Sequence, residues 1–212
     1  MSSKITEKRA LTYLGYHHEL PDVRIQALLD EVALEVETNA HFCAVMHYYD
    51  IDVAAFKALG IDLNNPDLLK HLAGSSQVAL IGATLGIQID KMTRYYEQID
   101  VTKMSIFDAY AGSYLETCCD NYLDESMKQE HTFIYCPGYG SVDLKMNAII
   151  VRLLDADKLI GLTCKSGGSL APQKSIVGLI GVGKKGITKN CNHCRLINEC
   201  IYRKAGTRCY GK

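Results

Sequence analysis

The sequence predicts an α+β fold for this chain of 212 residues. Segments with helical periodicity and short apolar segments with strand character are mixed along it. They do not follow the regular strand–helix–strand order of a doubly wound sheet. Hydrophobic residues make up 48% of the composition, which is typical of a globular protein with a real core. We expect one main domain over residues 1–183 and a small appendage over residues 184–212, where apolar content falls sharply.

In the first half of the main domain, the apolar pattern predicts helices and strands in turn. Residues 22–38 form a helix with one apolar face that Asp22 can cap, and residues 41–51 alternate as a strand does. A short helix begins at Asn65-Pro66 and ends before Gly74. A continuous apolar run and a helical segment follow, and we assign these to a buried strand and a helix, at residues 77–85 and 87–99.

The second half begins with the longest predicted helix, residues 103–123. Its apolar stripe is expected to consist of Met104, Phe107, Ala111, Leu115, Cys118 and Tyr122. Of the adjacent cysteines Cys118 and Cys119, we expect one to lie in the core. A further helix is predicted over residues 144–154. The remaining strands are predicted over residues 131–136, 158–164 and 175–182.

The bulk composition excludes several classes of protein. No apolar run approaches the roughly 20 residues that a membrane-spanning helix needs. The polar N-terminus lacks the apolar stretch of a secretory signal. We therefore expect a cytoplasmic protein without a membrane partner. In that compartment the nine cysteines are expected to be thiols or metal ligands rather than disulfides.

The net charge of −1 conceals two parts of opposite charge. The appendage from Lys184 to Lys212 carries +7, and the rest of the chain carries −8. This basic tail is expected to dock on the chain's own acidic body or on an acidic partner. Nucleic acid is a poor candidate, because only Tyr202 and Tyr210 offer stacking rings in the tail.

Four cysteines give the tail its clearest chemical pattern. Cys191, Cys194, Cys200 and Cys209 follow the spacing C-x₂-C-x₅-C-x₈-C. Thiolates are ligands for zinc and for iron–sulfur clusters, and a C-x-x-C pair can direct two sulfurs to one centre. We predict a metal site formed by these four residues, and the irregular spacing leaves both zinc and an iron–sulfur cluster open. His193 is expected to point away from the centre.

Other motifs have simpler interpretations. Gly181-Val-Gly183-Lys-Lys-Gly186 matches a dinucleotide-binding pattern, but the helix that such a site needs does not follow, so we interpret it as a hinge. His41, Cys43 and His47 are expected to have core or surface roles rather than a shared metal ion.

The turn after residue 136 is the second candidate site, because Pro137-Gly138-Tyr139-Gly140 permits unusual backbone angles and close approach by a ligand. Together with other segments, it resembles the reactivation domain of cobalamin-dependent methionine synthase, in a stand-alone form covering roughly residues 10 to 183. The other similar segments are Leu11-Thr-Tyr-Leu-Gly-Tyr16, Ala83-Thr-Leu-Gly86, Ser113-Tyr-Leu-Glu116 with the following Cys-Cys-Asp-Asn, Leu153-Leu-Asp-Ala-Asp-Lys-Leu-Ile-Gly-Leu-Thr163 and Pro172-Gln-Lys-Ser-Ile-Val177.

This resemblance implies a twisted antiparallel sheet with flanking helices. It also implies a role in reactivating corrinoid that has been oxidised from cob(I) to inert cob(II). An electron comes from a flavodoxin or similar donor, and a methyl group comes from S-adenosylmethionine. Glu116 corresponds to an acidic position near the bound sulfonium ligand, and Gly138 and Tyr139 correspond to the turn that cradles it.

Two departures from the family pattern affect the ligand pocket. The family motif Arg-x-x-x-Gly-Tyr supplies an arginine that grips the ligand's carboxylate, and this chain has Ile134 at that position. Lys165-Ser166 replaces a Thr-Glu pair in a later loop. The resemblance therefore implies a pocket that is damaged or rebuilt, in which Lys165 could replace the missing cation.

Three functions remain open on the sequence alone, and so does the question of whether the chain is itself an enzyme. The leading hypothesis is an accessory protein that reduces cob(II)alamin on a corrinoid protein or corrinoid methyltransferase, with an iron–sulfur cluster in the tail and a flavodoxin or ferredoxin as electron donor. The first alternative is a non-catalytic docking module with a structural zinc tail. The second is an S-adenosylmethionine-binding methyl donor domain.

Overall fold

The computed structural model describes residues 2–16, 19–183, 198–204, 206 and 208. The predicted metal ligands Cys191, Cys194 and Cys209 lie outside the described residues, as does Gly186. Within the described ranges, the helices are α1 (Ser2–Tyr13), α2 (Val23–Asn39), α3 (Val53–Leu59), α4 (Pro66–Leu72), α5 (Ile87–Ile99), α6 (Val101–Ser126), α7 (Met146–Leu153), α8 (Ala156–Ile160) and α9 (Ile201–Lys204). The strands are β1 (Cys43–Asp50), β2 (Gln77–Thr84), β3 (Thr163–Cys164), β4 (Leu170–Ala171) and β5 (Ser175–Val182).

The centre of the domain is a three-stranded antiparallel sheet in the order β1-β2-β5. In its register, Cys43 lies opposite Thr84, and Gln77 lies opposite Val182. The middle strand, β2, is buried from Val78 onward, which confirms the strand predicted from its apolar run. The two short strands β3 and β4 form a separate antiparallel pair.

The sheet separates two cores, because successive side chains of a strand point to opposite faces. On one face, Ala79, Ile81 and Ala83 pack with α6 residues such as Phe107 and Tyr110, and we call this cluster the α6-side core. On the other face, an α7-side core is formed by Val78, Leu80, Phe56, Ile150 and Leu154, among others. The sheet is thus covered by helices on both faces, and it confirms the predicted α+β class. None of the helices in the described ranges is long and apolar enough to cross a bilayer.

The helices predicted from periodicity are confirmed, with caps where the sequence indicated them. The Asp22 side chain accepts a hydrogen bond from the backbone of Ile25, and Asn65 accepts one from Asp67. On α6 the predicted stripe holds at its centre but is wider than expected. Its buried residues include Ile106, Phe107, Tyr110, Ala111, Leu115, Cys119 and Leu123, whereas Met104, Cys118 and Tyr122 are only partly buried. Cys119 is thus the core member of the cysteine pair.

The predicted strand over residues 131–136 is wrong. The segment meets β5 only through isolated bridges, His131 to Val182 and Tyr135 to Leu179. Between them, the Thr132 hydroxyl accepts the backbone N–H of Gly181 at 2.8 Å, so a side chain replaces a ladder bond. The segment still covers the β5 edge of the sheet.

The predicted strand over residues 158–164 is also wrong for most of its length. Residues up to Ile160 belong to α8, which is capped by the following Gly161 with a positive φ of 67°. Only Thr163 and Cys164 are extended. Neither α1 nor α3 was predicted from the sequence. The first of these has no strong apolar face of its own and is held by contacts with α6.

His71 is a buried histidine in the α7-side half of the domain, with 4% of its surface exposed. Its Nε2 lies 2.8 Å from the Thr132 hydroxyl oxygen, and its ring contacts the rings of Phe133 and Tyr135. Burial lowers the pKa of His71 from 6.5 to about 4, although hydrogen bonds with the backbone of Leu179 and Phe133 act in the opposite direction. In the folded state, the imidazole of His71 is therefore neutral at pH 7.

This burial predicts a loss of stability in mild acid. Below pH 6.5 the unfolded chain takes up a proton on His71 that the folded chain does not, until the pH falls to about 4. We expect this residue to reduce the free energy of unfolding by up to about 3 kcal/mol across that window. Urea unfolding at pH 7, 6 and 5 measures the slope. His71→Gln should be less stable at pH 7 but should show a shallower slope, whereas the exposed control His47→Gln should keep the wild-type slope. Equal slopes for His71→Gln and wild type would contradict this assignment.

Candidate functional site

Glu116 lies on α6 where α1 crosses it. Its side chain is about one-third exposed. The Tyr13 hydroxyl donates a hydrogen bond to Glu116 Oε1 at 2.6 Å. Arg9 Nη1, one turn earlier on α1, lies 3.9 Å from Glu116 Oε2, beyond hydrogen-bond distance. The carboxylate is therefore held by a tyrosine and lies near a cation.

The guanidinium of Arg9 is only partly satisfied. Its Nη2 donates to Asp120 Oδ2 at 2.8 Å. Nε and Nη1 are buried, and neither has a hydrogen-bond partner among the described residues. Such buried donors are uncommon, because each forgoes hydration without a replacement. Arg9 thus forms its closest ion pair with Asp120 and not with Glu116.

The turn over residues 136–142 is closed by its own backbone. Gly138 N donates to Val142 O at 2.9 Å, and Tyr139 N donates to Cys136 O at 3.1 Å. Gly138 and Gly140 have φ angles of 93° and 53°, which favour glycine. The sequence therefore predicted this turn correctly.

The beginning of α4 fixes the far side of the turn. The Asp67 carboxylate accepts hydrogen bonds from both the backbone N and the hydroxyl of Ser141, at 2.8 and 2.7 Å. Gly140 lies against Asp67, and a Cβ at this glycine would be 2.7 Å from the Tyr135 hydroxyl oxygen. This crowding leaves the turn little freedom to move away from the domain.

The hydroxyl end of Tyr139 lies among acidic and thiol groups. Its pKa is raised, first by the Cys136 thiol, then by burial, and then by Glu116 and Tyr13. The residue as a whole remains 44% exposed, so part of its ring faces solvent. The structure therefore brings Tyr139 and Glu116 into one cluster with Cys136 and Tyr13, which we call the Glu116 cluster.

Ile134, two residues before Cys136, is 7% exposed. It packs in the α6-side core on the same side of the segment as Cys136, whereas Phe133 and Tyr135 pack in the opposite core. A Cβ on Gly178 would collide with the Ile134 side chain, which shows how closely the two segments approach. The position therefore provides an apolar contact and no cation.

Lys165 is part of a tight turn between β3 and β4. Its backbone N donates to Ser169 O, and its carbonyl accepts from Gly168 N. No hydrogen bond or ion pair in the described part of the chain links Lys165 to Glu116. The structure thus gives no support to Lys165 as the replacement for the missing arginine.

A cleft of about 510 Å³ adjoins the Glu116 cluster through Tyr13. Across it, Lys174 and Asp108 form an ion pair with a nitrogen–oxygen distance of 2.8 Å. The residues that line it are Tyr13, Leu14, Met104, Ser105, Asp108, Ala109, Gly112 and Lys174. Tyr13 was not among the predicted site residues, although it lies inside the segment Leu11–Tyr16 that carried part of the resemblance. Lys174 likewise lies inside the similar segment Pro172–Val177, whereas Arg9 had no local signal.

A metal site remains a prediction, and it concerns only the cysteines of the tail. Among residues 2–16, 19–183 and the described tail positions, no group of three or more His, Cys, Asp or Glu side chains could hold a metal ion. Cys200 is a partly buried free cysteine just before α9. His41 Nδ1 lies 3.2 Å from Cys43 Sγ, but no third ligand joins this pair among the residues that the structure describes.

The crowding at Gly140 predicts a large cost for adding one methyl group there. Gly140→Ala combines left-handed backbone strain with contacts against Asp67 and Tyr135. We expect it to lower the free energy of unfolding by about 3 kcal/mol. Gly161→Ala is the matched control, because Gly161 has a φ of 67° but open space around it. It should cost only about 1 kcal/mol, from strain alone. Urea denaturation compares the two, and similar losses would show that the turn is looser than described.

Comparison with known proteins places the fold. Neither the protein-family models nor the curated proteins gave a match to this sequence. Among solved structures, the chain is similar to the MetH reactivation domain bound to AdoHcy, with a TM-score of 0.58 and 15% sequence identity. The match covers 90% of this chain and 75% of that chain. An identity this low speaks for the fold alone. The chain therefore has the fold of the methionine synthase reactivation domain, which confirms the fold that the sequence resemblance implied.

Proposed function

We propose that this chain is an accessory protein of a corrinoid-dependent methyltransferase system, in which it helps to return cob(II)alamin on a partner protein to cob(I). The supporting observation is the likeness to the MetH reactivation domain over 90% of the chain. Glu116 and Tyr139, which the resemblance carried over separately, also lie in one cluster. The partner in this proposal is a corrinoid protein or a corrinoid methyltransferase.

S-adenosylmethionine is the methyl donor that the fold implies. Its cationic groups fit the Glu116 cluster, and its carboxylate does not. The Glu116 carboxylate and the Tyr139 ring suit the ligand's ammonium and sulfonium charges. The ligand's carboxylate finds Ile134 instead of an arginine, and a buried carboxylate without a partner is costly. We therefore assign no methyl-transfer step to this chain, and the methyl donor domain remains the weaker candidate.

The cysteine tail is the proposed source of the electron. Cys191, Cys194, Cys200 and Cys209 would hold an iron–sulfur cluster, which supplies one electron at a time. One electron is the difference between cob(II) and cob(I), and a reduced flavodoxin or ferredoxin would restore the cluster. The tail's charge of +7 favours docking on an acidic donor or corrinoid partner.

A structural zinc ion in the same four cysteines supports a different function. Zinc has no redox chemistry, so the chain would then be a docking module that positions a corrinoid protein. The fold and the Glu116 cluster agree with this alternative equally well. The two candidates differ in the metal and in electron transfer, and both differences are measurable.

The metal prediction is tested on the full chain purified without oxygen. We expect about one metal centre per chain, with the visible absorbance of an iron–sulfur cluster. The double variant Cys191→Ser, Cys194→Ser should lose it, whereas Cys164→Ser, outside the tail on β3, should retain it. Elemental analysis and the visible spectrum measure the outcome. A colourless protein with zinc would favour the docking module, and a chain with neither metal would remove both versions of the tail site.

The reactivation proposal is tested by the formation of cob(I) from cob(II)alamin in the presence of a chemical reductant, followed in the visible spectrum. The protein with its reconstituted cluster should accelerate the reduction over the reductant alone. The zinc-loaded protein is the matched control, because it has the same surface without a redox centre. No acceleration by the iron-containing protein would overturn the electron-transfer proposal.

A further inference from the structure

We infer that the Glu116 cluster selects an organic sulfonium or ammonium ligand that has no carboxylate near its cationic centre. The inference rests on the proposed function, since it names the ligand class of the site in the reactivation fold. It differs from the ligand that the fold implies, because this chain retains the groups that bind a cation and lacks the one that binds the anion.

The cation-binding groups are in place and held in position. Glu116 is fixed by the hydrogen bond from Tyr13 and remains partly accessible, at 32% of its side-chain surface. Tyr139, whose hydroxyl end lies in the same cluster, is 44% exposed. A carboxylate attracts an organic cation by charge, and the face of a tyrosine ring attracts it through the ring quadrupole. Together they form one wall of a cation site.

The local charge balance also favours a cation. Glu116 and Asp120 contribute two negative charges, and Arg9 contributes one positive charge, which is directed to Asp120 at 2.8 Å. The Nε and Nη1 atoms of Arg9 are buried, so a ligand arriving from solvent cannot reach them without a rearrangement. A ligand at Glu116 therefore meets a net negative charge.

The anion-binding half of the site is absent from the described structure. Ile134 is packed in the core and offers no donor to a carboxylate. No basic side chain other than Arg9 forms an ion pair with Glu116 among the described residues. Lys174 lines the neighbouring cleft, but Asp108 neutralises it at 2.8 Å. A carboxylate on the ligand would thus lie near Glu116 without a partner.

The cleft next to Tyr13 gives space for the rest of the ligand. Leu14, Met104, Ala109 and Gly112 give it a partly apolar lining. Its volume of about 510 Å³ is in the range of small-molecule sites. Tyr13 links the two regions, because it lines the cleft and donates to Glu116. A ligand with a cationic end at Glu116 would therefore extend its less polar body past Tyr13 into the cleft.

A matched pair of probes tests this selectivity. S-adenosylmethionine and decarboxylated S-adenosylmethionine share the sulfonium and the amine, and they differ in the carboxylate. Titration calorimetry on the full wild-type chain should show the decarboxylated probe binding at least about tenfold more tightly, since an unpaired carboxylate is penalised. Equal binding, tighter binding of S-adenosylmethionine, or no binding of either probe would overturn the inference.

Two variants of the same helix test the role of Glu116. Glu116→Gln should weaken the decarboxylated probe by about tenfold or more, because it removes the charge and retains the shape. Glu125→Gln, an exposed carboxylate farther along α6, removes an equal charge away from the cluster and should bind as the wild type does. Circular dichroism of both variants confirms that they are folded. Equal effects of the two substitutions would refute a specific role for Glu116.

The failures of the two proposals are distinguishable. The cob(II) reduction assay contains no adenosyl ligand, so it reports on the tail and on the corrinoid substrate alone. Loss of ligand selectivity with intact reduction would overturn the inference about the Glu116 cluster. Intact selectivity without accelerated reduction would overturn the electron-transfer proposal and leave the ligand class in place.

Discussion

The packing of α1 against α6 is the constraint on which the candidate site depends. Two buried hydrogen bonds fix how the helices meet: Thr6 Oγ1 lies 2.9 Å from Thr117 Oγ1, and the Ser113 hydroxyl donates to Thr6 O at 2.7 Å. Such bonds are directional and costly to leave unmade in the interior, so they select one register from the many that apolar contacts allow. That register sets Tyr13 beside Glu116.

A second constraint brings the turn to α6. The segment over residues 131–136 can lie close to β5 because Gly178 and Gly181 have no side chains. A Cβ on Gly178 would collide with Ile134, and a Cβ on Gly181 would lie only 3.3 Å from the Thr132 side chain. The close approach directs Ile134 and Cys136 into the α6-side core. The turn that follows is then held between α4 and α6. The turn and α6 meet near Glu116 because the glycines of β5 allow this close approach.

The parts of the fold that the sequence predicted are those in which one element's own pattern decides its structure. The buried run of β2 and the capped amphipathic α2 are examples, and both are confirmed. Residues 131–136 have the composition of a strand, but their hydrogen bonds depend on how Thr132 and Ile134 meet the β5 glycines Gly181 and Gly178, which no local pattern reveals. The association of Glu116 with Tyr139 followed from a family resemblance. The contacts of Arg9 and Tyr13 with Glu116 were not predicted, because they depend on the register of two helices whose contacting residues are more than a hundred positions apart.

Lys103 and Arg9, two partly buried cations on α6 and α1, differ in how fully they are paired. Burial alone would lower the pKa of Lys103, but hydrogen bonds to Glu31 and Glu35 outweigh it and raise the pKa, and the ammonium also lies 4.5 Å from the Tyr96 ring centre. This cation is fully compensated, as expected of a group that joins helices. Arg9 has a similarly exposed side chain but leaves two buried nitrogens without partners in the described structure. Incomplete hydrogen bonding of an arginine beside Glu116 and Tyr13 is the kind of local cost that proteins retain at functional sites. The contrast therefore favours the Glu116 cluster, and not the Lys103 network, as the part of the surface shaped by a ligand.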